Sequence, residues 1–490
     1  MLRHGSWALA LALLAPVAAG QHETPANLVD PRRPPGRELD TRIADGFTLA
    51  AVGDLITSRP LLPLLERDPG FAAVVKILRE ADITFGNFEN TAFDPSGFPG
   101  FPHPGRDDWA LVASPAVPAD LKALGFDLVS RANNHALDWG LEGMRETTRL
   151  LEGAGLVHAG VGETRAEARA ARYLETPAGR VGLISMASTF REYSDAMAPH
   201  GRAPGRPGLN ALRTTRTTVV TPEMWRALRG ADEALRKAGE GCEVSAREAE
   251  RATRKAAPSD EAVFFDTRFR LGDRPGYTYT MNPLDLAEIL QSIRQGKQHS
   301  DLLLATIHAH EKGLGCEAPG DFLRTLAHAA IDAGAAAFIG HGEHTLMPIE
   351  IYKGRPIFYS LANFFWSDLQ EPLPAELYEN NRALLDTAFG KDAQPTDADL
   401  SAVLNATSFD DARVFESVIA VTRYAAGRAS EVRLYPVDLG YGEPLTRSGV
   451  PRLASPELAR AILERLRRIS KPYGTELAIE GDVGVIRPRP

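Results

Sequence analysis

Five of the chain's 12 histidines fall in three short polar clusters, each directly after an apolar run. The clusters are Asn133-Asn134-His135, His308-Ala309-His310-Glu311 and Gly340-His341-Gly342-Glu343-His344. Two more apolar runs end in Gly53-Asp54 and in Asn87-Phe88-Glu89-Asn90. Imidazole combined with carboxylate suits zinc, manganese or iron, whereas oxygen ligands alone would suit magnesium or calcium. The set holds enough donors for one ion, or for two at about 3.5–4 Å with a bridging carboxylate. Such a centre holds an oxyanion, lowers the pKa of a bound water and stabilises a leaving oxygen, which is hydrolytic chemistry. Each piece alone has a plainer reading. Gly53-Asp54 and Asn133-Asn134 are also ordinary turn sequences, and a single strand-end histidine is also a packing residue. His341 and His344 in one loop are harder to explain by packing, because Gly340 and Gly342 let the backbone approach a ligand closely. Taken together the set points to a metal site.

These residues need elements that bring them to one place. Short apolar runs at 47–52, 83–86, 128–130, 181–186, 302–307, 336–339 and 357–361 read as strands. They alternate with helical patterns at 71–81, 143–154, 283–295 and 319–333. Strands alternating with helices predict an α/β layered domain. In such sheets ligands sit outside the carboxyl ends of the strands, so the five polar clusters can converge on one rim. Two segments break the pattern. Residues 190–280 hold a Gly/Pro/Arg loop and then charged helical patterns over 222–257, an insertion read either as a solvated helical face or as a lid over the site. Arg202, Arg206, Arg213 and Arg216 cluster there, either for solubility or as a clamp for an acidic substrate. Residues 367–412 are acidic and poorly periodic, an irregular excursion. From 413 to 490 a hairpin (415–424 with 430–434), an amphipathic helix at 455–469 and a final short strand form a small α+β extension packing on the main domain.

The chain has 490 residues with 44% hydrophobic and 24% charged content, which excludes wholesale disorder. A net charge of −9 argues against a nucleic-acid partner, which needs a basic face. Residues 1–20 carry a basic start at Arg3 and His4, a short apolar run and small residues before Gly20, the layout of a secretory signal peptide. A buried first element is the competing reading. The run is too short to span a bilayer of about 30 Å. A Pro-rich linker follows over 21–46. The expected location is therefore extracytoplasmic, periplasmic or secreted. Two cysteines, Cys242 and Cys316, exclude a zinc site built of cysteines and leave either one disulfide or two thiols.

The run Arg131-Ala132-Asn133-Asn134-His135-Ala136-Leu137-Asp138-Trp139-Gly140 resembles the Ala-Asn-Asn-His-Ala-Leu-Asp-Tyr-Gly signature of the CapA family, the capsule and poly-γ-glutamate synthesis proteins. Gly340-His341-Gly342-Glu343-His344 is similar to that family's Gly-His-x-x-His motif. Pro348-Ile349-Glu350-Ile351-Tyr352 and Phe358-Tyr359-Ser360-Leu361-Ala362-Asn363-Phe364 resemble the block that follows it. Gly53-Asp54 and Asn87-Phe88-Glu89 match its first two motifs. The resemblance covers a domain at 47–366, and the extension from Phe415 resembles one found in part of the family.

The family is similar to calcineurin-like metallophosphoesterases. That likeness implies a four-layer α-β-β-α sandwich with one or two divalent ions of zinc, manganese or iron. It implies Asp54, Glu89, Asn134, His308, His341 and His344 as metal ligands, Glu89 as a bridging carboxylate, and His135 as the acid that meets the scissile bond. Asn133, His310 and Glu311 are the supporting or alternative ligands. The sequence departs from the phosphoesterase pattern at Ile56, where a histidine is usual, and at Asn87-Phe88-Glu89 in place of Asp-x-x-Asp. His310, in a motif commonly His-Trp-Gly, is a candidate replacement for the missing imidazole. The implied function is metal-dependent hydrolysis of an anionic envelope polymer or phosphoester, alongside a membrane-bound polymer synthase complex. The competing expectation is a non-catalytic assembly or export accessory protein.

Overall fold

The computed structural model describes residues 39–488, apart from 104–108, 239–259, 314, 316, 368–372 and 409. The apolar N-terminal run and both cysteines lie outside the described residues. No helix among the described residues is long and apolar enough to cross a membrane.

Two mixed sheets form the centre. In the first, Thr48–Thr57 runs parallel to Ile83–Phe88, which continues through Leu128–Ser130 to Val157–Ala159. The other side of Thr48–Thr57 has two neighbours in succession. Residues 48–51 pair antiparallel with Glu416–Ala425, and residues 54–57 pair parallel with Asn363–Ser367. The antiparallel half then extends through Arg428–Asp438, Val483–Ile486 and Ala478–Glu480. The second sheet places Gly179–Ala187, Leu302–His308, Ala337–His341 and Arg355–Phe358 in parallel, closed at its edges by antiparallel Arg172–Thr176 and Ile349–Tyr352.

Side chains alternate across these strands with the period of two that a pleated strand imposes. Leu49, Ala51, Phe85 and Leu128 of the first sheet share one core with Leu183, Leu304, Ile339 and Phe358 of the second. Ala50, Val52 and Val129 face the other way, toward Phe71 and Val74 of the helix Pro69–Glu80 and Leu121 of Val117–Leu124. On the far side of the second sheet, Ile184, Leu303, Ala305 and Phe338 pack with Ile289 of Pro283–Gln298 and Leu326 of Asp321–Asp332. Three helices start with a polar cap followed by proline. Asp68, Asn282 and Ser455 each accept a backbone N–H of the first turn, with Pro69, Pro283 and Pro456 next in sequence. The cap satisfies a donor the helix leaves open, and proline has no N–H to lose there.

The strands and helices read from the sequence form, with boundaries moved by a few residues. Three segments differ in kind. The described part of the insertion is half sheet: Thr214–Val220, Glu261–Phe264, Thr267–Leu271 and Gly276–Met281 form a four-stranded sheet beside the helix Pro222–Ala238, and the rest of the helical pattern expected over 222–257 lies outside the described residues. Thr217, Thr218, Tyr277 and Tyr279 are β-branched or aromatic and favour pleated backbone, a signal masked by the interspersed arginines. The excursion expected to be irregular holds three short helices, Ala375–Asn380, Arg382–Phe389 and Asp397–Ser408, around a small core of Leu377, Leu385, Leu400 and Leu404. The C-terminal hairpin and the helix Pro456–Ser470 are continuous with the first sheet and with the core between the sheets, where Leu434, Ile462 and Leu466 are buried.

Candidate metal centre

His308 and His341 are the last residues of adjacent parallel strands and stand in register with each other. Glu89 directly follows Ile83–Phe88, and Asn133 to His135 follow Leu128–Ser130. Asp54 differs from expectation, because its strand does not end there. The strand continues to Thr57, with its register broken on both sides of Asp54. The irregularity turns the buried carboxylate toward the other clusters. Gly53 and Gly340 permit this geometry. A Cβ on Gly53 would lie 1.7 Å from Ala362 O, and one on Gly340 2.2 Å from Tyr359 O. Residues 359–362 therefore pass hard against both strands at these glycines.

The donors fall into two neighbouring groups. Asp54, His308 and His341 offer ligand atoms within 4.8 Å of one another, and so do Glu89, His310 and His344. His308 joins the groups: its Nδ1 is 3.1 Å from His341 Nδ1, its Nε2 is 2.8 Å from His310 Nε2, and that same Nε2 is 3.5 Å from Glu89 Oε1. Asp54 Oδ2 is 3.5 Å from His344 Nδ1, and Asp54 Oδ1 is 3.7 Å from His341 Nδ1. Donor atoms that share one ion at roughly 2.0–2.2 Å lie about 3–3.5 Å apart, so the separations of His308 from His341 and from Glu89 fit a shared cation. His341 Nε2, Glu89 Oε1 and Asn134 Oδ1 are buried with no hydrogen-bond partner. Orphaned buried polar atoms are uncommon and call for an ion or ligand.

Electrostatics lead the same way. Burial works to raise Asp54, but the His344 hydrogen bond and charge, His341 and the Asn87 amide hold it near 2. Burial, then the Asp54 charge, pushes Glu89 well above the usual carboxylate range. Burial lowers His310 to about 3 and His341 to about 4, and burial with the adjoining imidazoles holds His308 well below its ordinary value. Neutral imidazoles offer the lone pairs a metal needs. Two buried carboxylates pressed together are relieved by a cation.

No role is expected from the sequence for Asn87, Asp138 or Asn363, although they lie inside the motifs, whereas Asn133 is expected as a supporting or alternative ligand. Asn87 Nδ2 donates to Asp54 Oδ1 at 2.8 Å and to Glu89 Oε2 at 3.3 Å. Asn133 donates to Asn87 Oδ1 and to Phe88 O, which places it behind the ligands. Asn363 Oδ1 meets His344 Nδ1 at 2.8 Å, and His344 holds a left-handed φ of 54°. Asp138 is fully buried, with Oδ2 2.7 Å from His135 Nδ1, and Arg191 pairs with its other oxygen at 3.0 Å. His135 Nε2 then lies 3.9 Å from Glu89 Oε1. Glu311 stands apart from both donor groups and accepts from Ser188, Thr189 and Thr214. The insertion arginines are dispersed: Arg213 pairs with Asp285, Arg206 pairs with Asp195, and Arg216 lies over the Tyr277 ring.

An α/β protein with two interlocked His/carboxylate groups at the strand ends of two facing sheets is thus defined. The chain belongs to the family of bacterial capsule synthesis proteins described as PGA_cap, which matches residues 48–367. It is 46% identical over 458 residues to the uncharacterized protein y4sH of Sinorhizobium fredii, covering 91% of this chain and 94% of that one. More distant relatives are the PGA biosynthesis protein CapA of Bacillus subtilis (24% identical, 71% of this chain and 67% of the relative) and a probable polyglutamine synthesis accessory protein of Mycobacterium tuberculosis (26%, 69% of each).

Proposed function

We propose that this chain is a metal-dependent hydrolase of the cell envelope that acts on a capsule-type anionic polymer or on a phosphoester. The observation that carries the reading is the meeting of two donor groups with an imidazole held by a buried carboxylate. Asp54, His308 and His341 would hold one divalent ion and Glu89, His310 and His344 a second, with the unpartnered Asn134 Oδ1 as a further ligand. A zinc, manganese or iron ion there would supply Lewis acidity and a water nucleophile at neutral pH. The chain's residues do the rest. Asp138 holds Nδ1 of His135, which leaves Nε2 as the atom that faces the cluster. A proton carried on Nε2 is delivered to the leaving oxygen or nitrogen. Asn87, placed between Asp54 and Glu89, orients both carboxylates.

The helix, sheet, sheet and helix packing supports a four-layer sandwich of metallophosphatase type. Family membership and the N-terminal pattern support action outside the cytoplasm after removal of a leader, beside a membrane-bound polymer synthase. A second reading, a non-catalytic accessory protein, is favoured by buried Ile56, two residues from Asp54, and by the name of the mycobacterial relative. The closeness of His310 to Glu89 and His344 speaks against it, since His310 would supply a further imidazole to an ion held there.

The test is the metal content of the purified protein beside a His341→Ala/His344→Ala variant. One or two equivalents of transition metal, lost in a variant that stays folded, is the expected result. A folded wild type that takes up no zinc, manganese or iron removes the hydrolase reading and leaves the accessory one.

A further inference from the structure

A second convergence of charge lies at the opposite end of the second sheet. A cavity of about 300 Å³ opens between the N-terminal residues 39–42, the starts of Leu302–His308 and Ala337–His341, and the turn of the C-terminal hairpin. Arg42, Lys297, Arg355 and Arg428 line it, against Asp40 and Asp301. Leu302 and His308 are six steps apart on one strand, and at about 3.3 Å per residue the cavity lies roughly 20 Å from the metal cluster. A ligand here is not the group undergoing reaction there.

Four cations meet two carboxylates here, and Lys297 is held in place. Lys297 is 4% exposed, and its ammonium donates to Thr41 O at 2.6 Å, Thr41 Oγ1 at 2.8 Å and Ser300 O at 3.0 Å. Its hydrogens go to uncharged oxygens, and Asp301 and Asp40 act on its charge only through space. Among the described residues no carboxylate pairs with the guanidinium of Arg42, Arg355 or Arg428. Of the nearby acids, Asp332 pairs with Lys353 and Asp301 Oδ2 accepts from the Arg180 amide, which leaves Asp40 as the one other acid of the lining against four cations. Arg355 Nε is buried without a partner, and so is the hydroxyl of Tyr424, which is within electrostatic reach of Arg355. Two left-handed glycines bring the arginine stems in. A Cβ on Gly354 (φ 73°) would lie 3.0 Å from Arg428 Cδ, and one on Gly427 (φ 71°) 3.3 Å from Arg42 Cβ. Bringing like charges together in a partly desolvated cavity costs free energy. A multidentate oxyanion turns that cost into charge-assisted, forked hydrogen bonds.

We propose that the cavity lined by Arg42, Arg355 and Arg428 over buried Lys297 is a binding site for a phosphate-type oxyanion, free in solution or as the headgroup of an anionic lipid. The volume suits a phosphate or a small phosphate ester, not a folded polymer segment.

Calorimetric titration of the full chain with inorganic phosphate, at ionic strength matched with chloride, tests this. Wild type is expected to bind, and the Arg355→Gln/Arg428→Gln variant to bind at least tenfold more weakly. His341→Ala/His344→Ala keeps this binding, which separates it from phosphate held at the metal cluster and from the hydrolase reading. Sedimentation with phosphatidylglycerol vesicles, against phosphatidylcholine vesicles, is the second arm. Binding to the anionic vesicles alone, lost in the arginine variant, assigns the headgroup as the source. Circular dichroism checks folding, and Arg42→Gln serves as an independent variant should the double one misfold. Phosphate and vesicle binding both absent in wild type, or unchanged in the arginine variants, overturns the proposal.

Discussion

His135 shows how little freedom the site leaves a single side chain. Its Nδ1 is 2.7 Å from Asp138 Oδ2, which also accepts the Leu111 amide, while Arg191 pairs with Oδ1 and donates to Trp109 O. The carboxylate thereby fixes the tautomer and the ring plane of the imidazole. His135→Ala should lower hydrolysis about 10²–10⁴-fold, the span of a general acid, with metal content unchanged. Asp138→Asn should lower it too, by loss of orientation, and metal analysis of both variants separates this role from ligation. Another histidine contributes to acid stability, beside the similarly depressed His308, His310 and His341 of the site. His158 is held at about 3 against an ordinary 6.5, by burial first and then by the Arg131 and Arg172 charges. Its folded pKa is depressed, so below about 6.5 the unfolded chain binds a proton the fold refuses. Stability is then lost as pH falls from 6.5 toward 3. Urea melts of the metal-free protein between pH 7 and 5 should show midpoints falling, and His158→Phe should flatten the fall. An unchanged slope in that variant would remove His158 from the account.

At the level of elements, the site depends on how closely two strands can be approached. Gly53 is the tightest point, where Asp54 N donates to Ala362 O at 2.9 Å and a Cβ would overlap that oxygen. Gly53→Ala must displace residues 359–362, so a loss of about 1–3 kcal/mol in denaturant melts is expected, with the Asp54 carboxylate displaced and metal affinity reduced. A neutral substitution would show that the approach is looser than the geometry requires. The same elements explain what the sequence could reveal. The donors were legible because each follows an apolar run that the chain must bury as a strand. Asp54 was misread as a strand terminus because the pairing of residues 54–57 with Asn363–Ser367 is set some 300 residues away. Asn87, Asp138 and Asn363 stood in plain view in the motifs, yet their roles are partnerships across strands, which no local spacing encodes. The insertion's sheet was hidden because arginines interrupt its β-favouring threonines and tyrosines.

For the whole molecule, the stretch that matches the family and the unit that folds have different limits. The match ends at residue 367, but the first sheet runs on through Glu416–Ala425, Arg428–Asp438 and Val483–Ile486. Val418, Ala420 and Leu434 share the core between the sheets with Leu49 and Phe85. Ending the chain at 367 would leave residues 48–51 as an open edge and bare that apolar face, an aggregation hazard. The insertion differs. Its helix and sheet pack on each other through Trp225, Phe264 and Phe269, and its polar ties to the rest include Thr278 and Tyr279 with Asp321, Thr214 with Glu311, and Arg213 with Asp285. Replacing residues 216–279 by a short Gly/Ser linker should therefore leave a soluble, cooperatively melting protein that still binds metal. Truncation after 367 should yield aggregated or protease-sensitive material. Size-exclusion elution, thermal melts and metal content of the two deletions decide the matter. A folded, metal-binding chain ending at 367 would show that the sheet's C-terminal half is an appendage and not part of the unit that builds the site.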